Sequence, residues 1–139
     1  MKKYLLILFI ICLTVSACAS KENSKTLVGS WKLTAYGPVD SPTPAVPDVE
    51  AFLSFGADGT LTGSTGCNQI GGDYQLEGDQ ITFGQIVSTL IACPDLQMAQ
   101  EEAMHQVLMD TASFSIEGNT LTITKNGMVL VFEAIPSAA

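Results

Sequence analysis

From Leu27 onward, apolar and polar residues alternate along most of the chain with a period close to two, the signature of strands that bury one face. GSWKLTAY (29–36), EAFLSF (50–55) and TLTGST (60–65) read as strands. The last two are joined through Gly56-Ala57-Asp58-Gly59, a turn whose glycines can take positive φ. Between the first two lies GPVDSPTPAVPDV, whose prolines forbid a central strand and predict an extended loop. YQLEGDQITF (74–83) aligns with FSIEGNTLTI (114–123), each an aromatic and apolar run, a Glu-Gly-Asp/Asn turn, then apolar-Thr-apolar. Gly-Asp and Gly-Asn between alternating runs predict the same hairpin used twice. TLTIT (120–124) then meets MVLVFEA (128–134) through Lys125-Asn126-Gly127, where Asn-Gly favours a type I′ turn.

One segment breaks this period. PDLQMAQEEAMHQVLMD (94–110) carries Leu96, Ala99, Ala103, Val107 and Leu108 at helical spacing, which predicts a helix with that stripe toward the core. Pro94 suits the first helical position, and Asp95 opposes the positive end of the helix dipole. Met98, Met104 and Met109 also fall on this helix. Met104 sits beside the apolar face, and Met98 and Met109 project outward with His105. The expected fold is therefore α+β: a curved antiparallel sheet or broken barrel of about eight strands with one packed helix.

The start of the chain has a different character. In MKKYLLILFIICLTVSAC, two lysines precede an apolar run and small residues, the plan of a secretory signal. The run is too short for a stable span, which needs about 20 residues. Val15-Ser16-Ala17-Cys18 resembles a bacterial lipobox, which implies a signal over 1–17 and lipid on Cys18 as the new N-terminus. Bacterial lipoproteins carry several acyl chains, enough for lasting attachment. Ala19, where an aspartate would change sorting, implies the periplasmic face of the outer membrane in a host with two membranes. Residues 18–26 are polar and read as a tether, and 27–134 as one domain.

Charge narrows the partners. The chain has six lysines, no arginine and 14 acidic residues, a net charge of −8. Removing Lys2 and Lys3 with the signal takes the side-chain total to −10. Nucleic-acid affinity depends on cations that neutralise phosphate, so no nucleic-acid partner is expected. Anionic headgroups would repel such a surface, leaving the lipid as the means of attachment. The expected partner is an envelope protein.

GCNQIGGDY (66–74), STLIACPD (88–95), a helix and FSIEGNTLTIT (114–124) together resemble the META domain, also called HslJ-like. The specific matches are Gly66-Cys67-Asn68 with Gly72 and Tyr74, then Thr89 with Ala92-Cys93-Pro94, then the Glu-Gly-Asn hairpin. The family usually has a basic residue after that threonine; this chain has Leu90, so no role passes to that position. The resemblance implies a barrel-like sheet with one helix, envelope lipoproteins among its members, links to stress tolerance or virulence, and no established enzymatic activity. Trp31, in Gly-Ser-Trp, also resembles the Gly-x-Trp that plugs lipocalin barrels, and a buried core tryptophan is expected there.

Candidate chemistry centres on two thiols. Cys12 leaves with the signal and Cys18 takes lipid, so Cys67 and Cys93 remain as an even pair in an oxidising compartment. A disulfide is the expected state; closing its roughly 27-residue loop stabilises by about 3.5 kcal/mol on the chain-entropy treatment. Three other readings stand beside it. A nucleophile needs a base in reach, and the one histidine, His105, points away from the apolar stripe. Zinc needs paired short ligand spacings that are missing, so no metal or other cofactor is implied. A redox role is favoured by Cys93 at a helix N-terminus, though Cys-x-x-Cys is absent.

Glu101 and Glu102 diverge around the helix and do not form a catalytic pair. Asp73, Glu77 and Asp79 lack the order of a calcium loop. Thr65, Asn68 and Gln69 are candidates to line a barrel mouth and bind a ligand. No catalytic residue is expected. The function so indicated is a non-enzymatic envelope lipoprotein, an interaction module in stress tolerance or envelope assembly. The alternative is a carrier of a small apolar ligand such as an acyl chain.

Overall fold

The computed structural model describes residues 26–137; the expected signal, Cys18 and nearly all of the tether lie outside the described residues. The elements in chain order are β1 (Gly29–Pro38), β2 (Thr43–Pro44), β3 (Ala51–Phe55), β4 (Thr60–Thr65), β5 (Gln69–Glu77) and β6 (Gln80–Phe83). They continue with β7 (Val87–Ser88), α1 (Asp95–Val107), β8 (Thr111–Glu117), β9 (Thr120–Lys125) and β10 (Met128–Ile135). Eight of the strands form a ring in the order β1-β3-β4-β5-β6-β8-β9-β10, all neighbours antiparallel. The ring closes because β10 pairs with β1 from Ser30↔Ile135 to Pro38↔Met128. Closure removes the free edges that an open sheet would expose. The short β2 and β7 lie against β1 and β5.

Turn chemistry sets the register. Glu77↔Gln80 and Glu117↔Thr120 flank two-residue turns at Gly78-Asp79 and Gly118-Asn119. Gly78 and Gly118 both take positive φ (62° and 59°), which glycine adopts at little cost. The repeated hairpin is thus one structure used twice, and β6 and β8 set the copies side by side. At Asn126-Gly127 both residues have positive φ (50° and 78°), as the type I′ turn requires. Along β1 the register slips between Leu33 and Ala35. That bulge at Thr34 re-phases the alternation, so Trp31 and Leu33 point inward, and after it Tyr36 does too.

The interior is a packed core. Leu53, Leu61, Ile81, Ile123, Leu130 and Phe132 have no accessible surface, so no void of water size lies beside them. Two ends can be distinguished. The Trp31 end holds the start of β1 and the turns at 56–59, 78–79 and 118–119. The opposite, helix end holds the turns at 66–68 and 126–127, and α1 packs across it against β1, β4, β9 and β10.

The helix forms where its pattern predicts, with a different inner face. Gln100, Glu101, Ala103, Met104, Val107 and Leu108 are buried, whereas Leu96 (68% exposed) and Ala99 are not. The first turn projects past the packed core, and burial starts at Gln100. The face is turned toward Met104 because the barrel end offers polar partners to Gln100 and Glu101. Pro94 sits at the cap position, accepting backbone hydrogen bonds from Gln97 and Met98.

Candidate functional site

The tight turn between β4 and β5 brings Thr65, Gly66, Cys67 and Asn68 beneath the first half of the helix. Thr65 and Asn68 are buried, and their backbones bond each other across the turn, Thr65 N–H donating to the Asn68 carbonyl at 2.9 Å. The Asn68 amide N–H donates in return to Thr65 Oγ1 at 2.9 Å. Gly66 has φ +90°, and a Cβ there would come within 2.9 Å of Gln100 and of Val49. Both facts demand glycine at this position.

Two helical side chains complete the cluster. Glu101 accepts from Thr65 Oγ1 at 2.6 Å and from Asn68 Nδ2 at 2.9 and 3.1 Å. Gln100 donates to the Thr65 carbonyl at 2.7 Å and accepts from the Val46 amide at 2.8 Å, which ties the proline-rich loop to the helix. Buried polar groups of this kind are costly unless bonded, and each of these contacts answers that cost.

Asn68 then reaches the segment between β7 and α1. Its Oδ1 accepts from the Ile91 amide at 2.7 Å and from Thr89 Oγ1 at 2.8 Å, while its Nδ2 donates to the Ile91 carbonyl at 3.1 Å. Thr89 also bonds Gln69 in both directions: its amide donates to the Gln69 carbonyl, and its hydroxyl accepts from the Gln69 amide, each at 3.1 Å. Cys67 and Cys93 form a disulfide with Cα atoms 6.0 Å apart, within the usual bridging range. One asparagine, one threonine and one disulfide therefore clamp residues 89–93 onto the barrel.

The remaining residues singled out in the sequence fall in separate places. Gln69 is exposed, and it meets the cluster through its backbone bonds with Thr89. Gly72 lets the 84–88 segment cross closely, since a Cβ would lie 2.8 Å from Ile86 and 2.9 Å from the Gln85 carbonyl. Trp31 is buried at the other end and donates from Nε1 to the Leu27 carbonyl at 2.8 Å. Tyr74, also there, packs edge-on to Phe55 and donates from its hydroxyl to the Gly56 carbonyl at 2.8 Å. Burial raises the Tyr74 phenol above its ordinary value, and the nearby Asp58 carboxylate adds to the shift. Asp58 itself is held below the usual carboxyl range by hydrogen bonds from Thr60.

His105 lines a surface pocket of about 420 Å³ with Phe83, Leu108 and Asp110, toward the helix C-terminus, while the cysteines lie toward its N-terminus. Among the described residues, no three His, Cys, Asp or Glu side chains are grouped to hold a metal ion. The pattern of the sequence passes over Gln100 and raises Glu101 only as half of a carboxylate pair with Glu102. Their signal was available in the spacing Gln100–Met104–Val107, a helical face that mixes polar and apolar residues.

Residues 25–136 match the family model of the META domain. Among solved structures, the chain is similar to a protein from Burkholderia xenovorans determined by NMR, at 22% identity and TM-score 0.66, over 78% of this chain and 83% of that one. A second NMR structure is similar at 19% identity and TM-score 0.63, over 76% and 88%. A DUF4847 family protein from Bacteroides vulgatus is similar at 18% identity and TM-score 0.57, over 76% and 91%. At these identities the likeness is one of fold, and fold alone does not assign function. No curated protein matches the chain.

Proposed function

Because the chain belongs to the META-domain family, we propose that it acts as a non-enzymatic interaction module held at the cell envelope by lipid on Cys18. One observation carries this reading: the best-formed polar cluster is used up inside the protein. Thr65 Oγ1 and the Glu101 carboxylate are paired at 2.6 Å, yet Thr65 has no accessible surface on which to meet a substrate. Both thiols are bound in the disulfide, and His105 serves neither of them. A nucleophile with a base in reach is what covalent catalysis needs, and this cluster offers none to solvent. Work then falls to the outer surface, in stress tolerance or envelope assembly.

Carriage of an acyl chain finds less support, because the inward side chains already fill the barrel. In-cell crosslinking followed by membrane fractionation tests the proposal. The wild-type chain is expected in the membrane fraction, joined to the same envelope protein in replicate experiments, and Cys18→Ala is expected to release it from the membrane. Reproducible turnover of a substrate, or crosslinks no different from those of an unrelated lipoprotein, overturns it.

A further inference from the structure

We infer that the clamped segment between β7 and α1, with the first turn of the helix, is the docking ridge of this module, and that its partner is a basic protein segment carrying apolar side chains. The inference rests on the interaction reading above and names the surface and partner class that reading leaves open. Ten large apolar side chains stand exposed among the described residues, and five of them, Val87, Leu90, Ile91, Leu96 and Met98, fall within one short stretch. Leu90 is 95% exposed, although both its neighbours are tied down by Asn68 and the segment is stapled through Cys93. A floppy loop would present such a residue only part of the time. Here an apolar anchor is held outward on a rigid support, the arrangement that gives a contact its binding energy at low ordering cost.

Charge and position choose among the occupants. Asp95 and Glu102 flank Met98 on the helix at spacings of three and four residues, which places all three on one strip. Asp48 is exposed on the loop whose Val46 amide bonds Gln100. Lys32 and Lys125 are the only lysines among the described residues, and neither lies in these segments. A second copy of this chain would set like charges together, and an anionic membrane would be repelled. The first described strand starts at the Trp31 end of the barrel, and the ridge lies toward the opposite, helix end. A basic segment with leucine-like anchors satisfies both the ridge and its acidic border.

The purified mature domain, oxidised, is titrated with a synthetic amphipathic Leu/Lys peptide, and binding is read by fluorescence anisotropy. Leu90→Ser with Ile91→Ser is expected to weaken binding by at least about tenfold, and Leu76→Ser, exposed on the β5–β6 hairpin, to leave it unchanged. Replacing the peptide's lysines by glutamine is expected to weaken binding as well. No peptide binding, binding indifferent to the Leu90/Ile91 change, equal binding of the glutamine peptide, preferential uptake by phosphatidylcholine vesicles, or self-association lost in the same variant overturns the proposal. Envelope crosslinks that persist in the Leu90/Ile91 variant would remove this surface while leaving the wider interaction reading intact.

Discussion

The two ends of the barrel are sealed by different means. At the Trp31 end the strands close the core with their own aromatic side chains, Trp31, Phe55 and Tyr74, each with at most one directional bond. At the helix end the seal is a segment that leaves the ring after β6, touches β5 through β7 and rejoins the ring at β8, positioned by the bonds of Asn68 to Glu101 and to Thr89 and by the disulfide. Apolar packing is non-directional and turns side chains inward. Directional bonds fix a backbone and allow its side chains to face out. The difference accounts for half of the ten exposed large apolar residues falling in the one segment held by such bonds.

The largest loss is expected at the Trp31 end. Trp31→Ala is expected to cost about 3–5 kcal/mol in chemical denaturation, the usual loss for a buried aromatic. Removing the disulfide by Cys67→Ser with Cys93→Ser is expected to cost about 3.5 kcal/mol. Unlike Trp31→Ala, its effect on hydrogen exchange should concentrate in residues 89–94. Asn68→Ala is expected to cost about 1–3 kcal/mol, because it strands the Ile91 amide and the Thr89 hydroxyl and leaves Glu101 with Thr65 alone. Equal exchange changes at both ends in the disulfide and Asn68 variants would contradict the division.

Smaller effects sharpen it. Tyr74→Phe removes one hydrogen bond and is expected to cost about 1 kcal/mol near neutral pH. The raised Tyr74 pKa means the folded protein favours the neutral phenol. That contribution is full below about pH 10 and is lost as pH rises through the folded value. Urea titrations on both sides of that pH should therefore find the gap between wild type and Tyr74→Phe narrowing in alkali. Leu90→Ser, an exposed change, is expected to shift stability by no more than about 0.5 kcal/mol. A larger loss would place Leu90 in the core.

Much of the barrel was legible because strand alternation and turn residues are local signals. Gly78, Gly118 and Asn126-Gly127 mark turns whose chemistry depends on their own backbone angles. Closure between β1 and β10 was less visible, since pairing across the chain leaves no local mark beyond two apolar strands. The helix was legible in place and length but not in orientation. An apolar count favours Leu96 and Ala99, whereas the observed face is decided by partners for Gln100 and Glu101 that only the folded turn supplies. Thr65 and Asn68 stood out as polar residues in a glycine-rich turn, and composition could not tell a mouth that binds from a joint that holds. Their partners do: each is bonded within the protein.

The Ile91 amide reports on that joint directly. If Asn68 and the disulfide clamp the segment, hydrogen exchange by NMR on the oxidised mature protein will find this amide protected like the strand amides of β5. Protection will fall sharply in Asn68→Ala. Exchange at the rate of an unstructured chain in the intact, oxidised protein would show that the segment is not held, and the account of the helix end would fail with it.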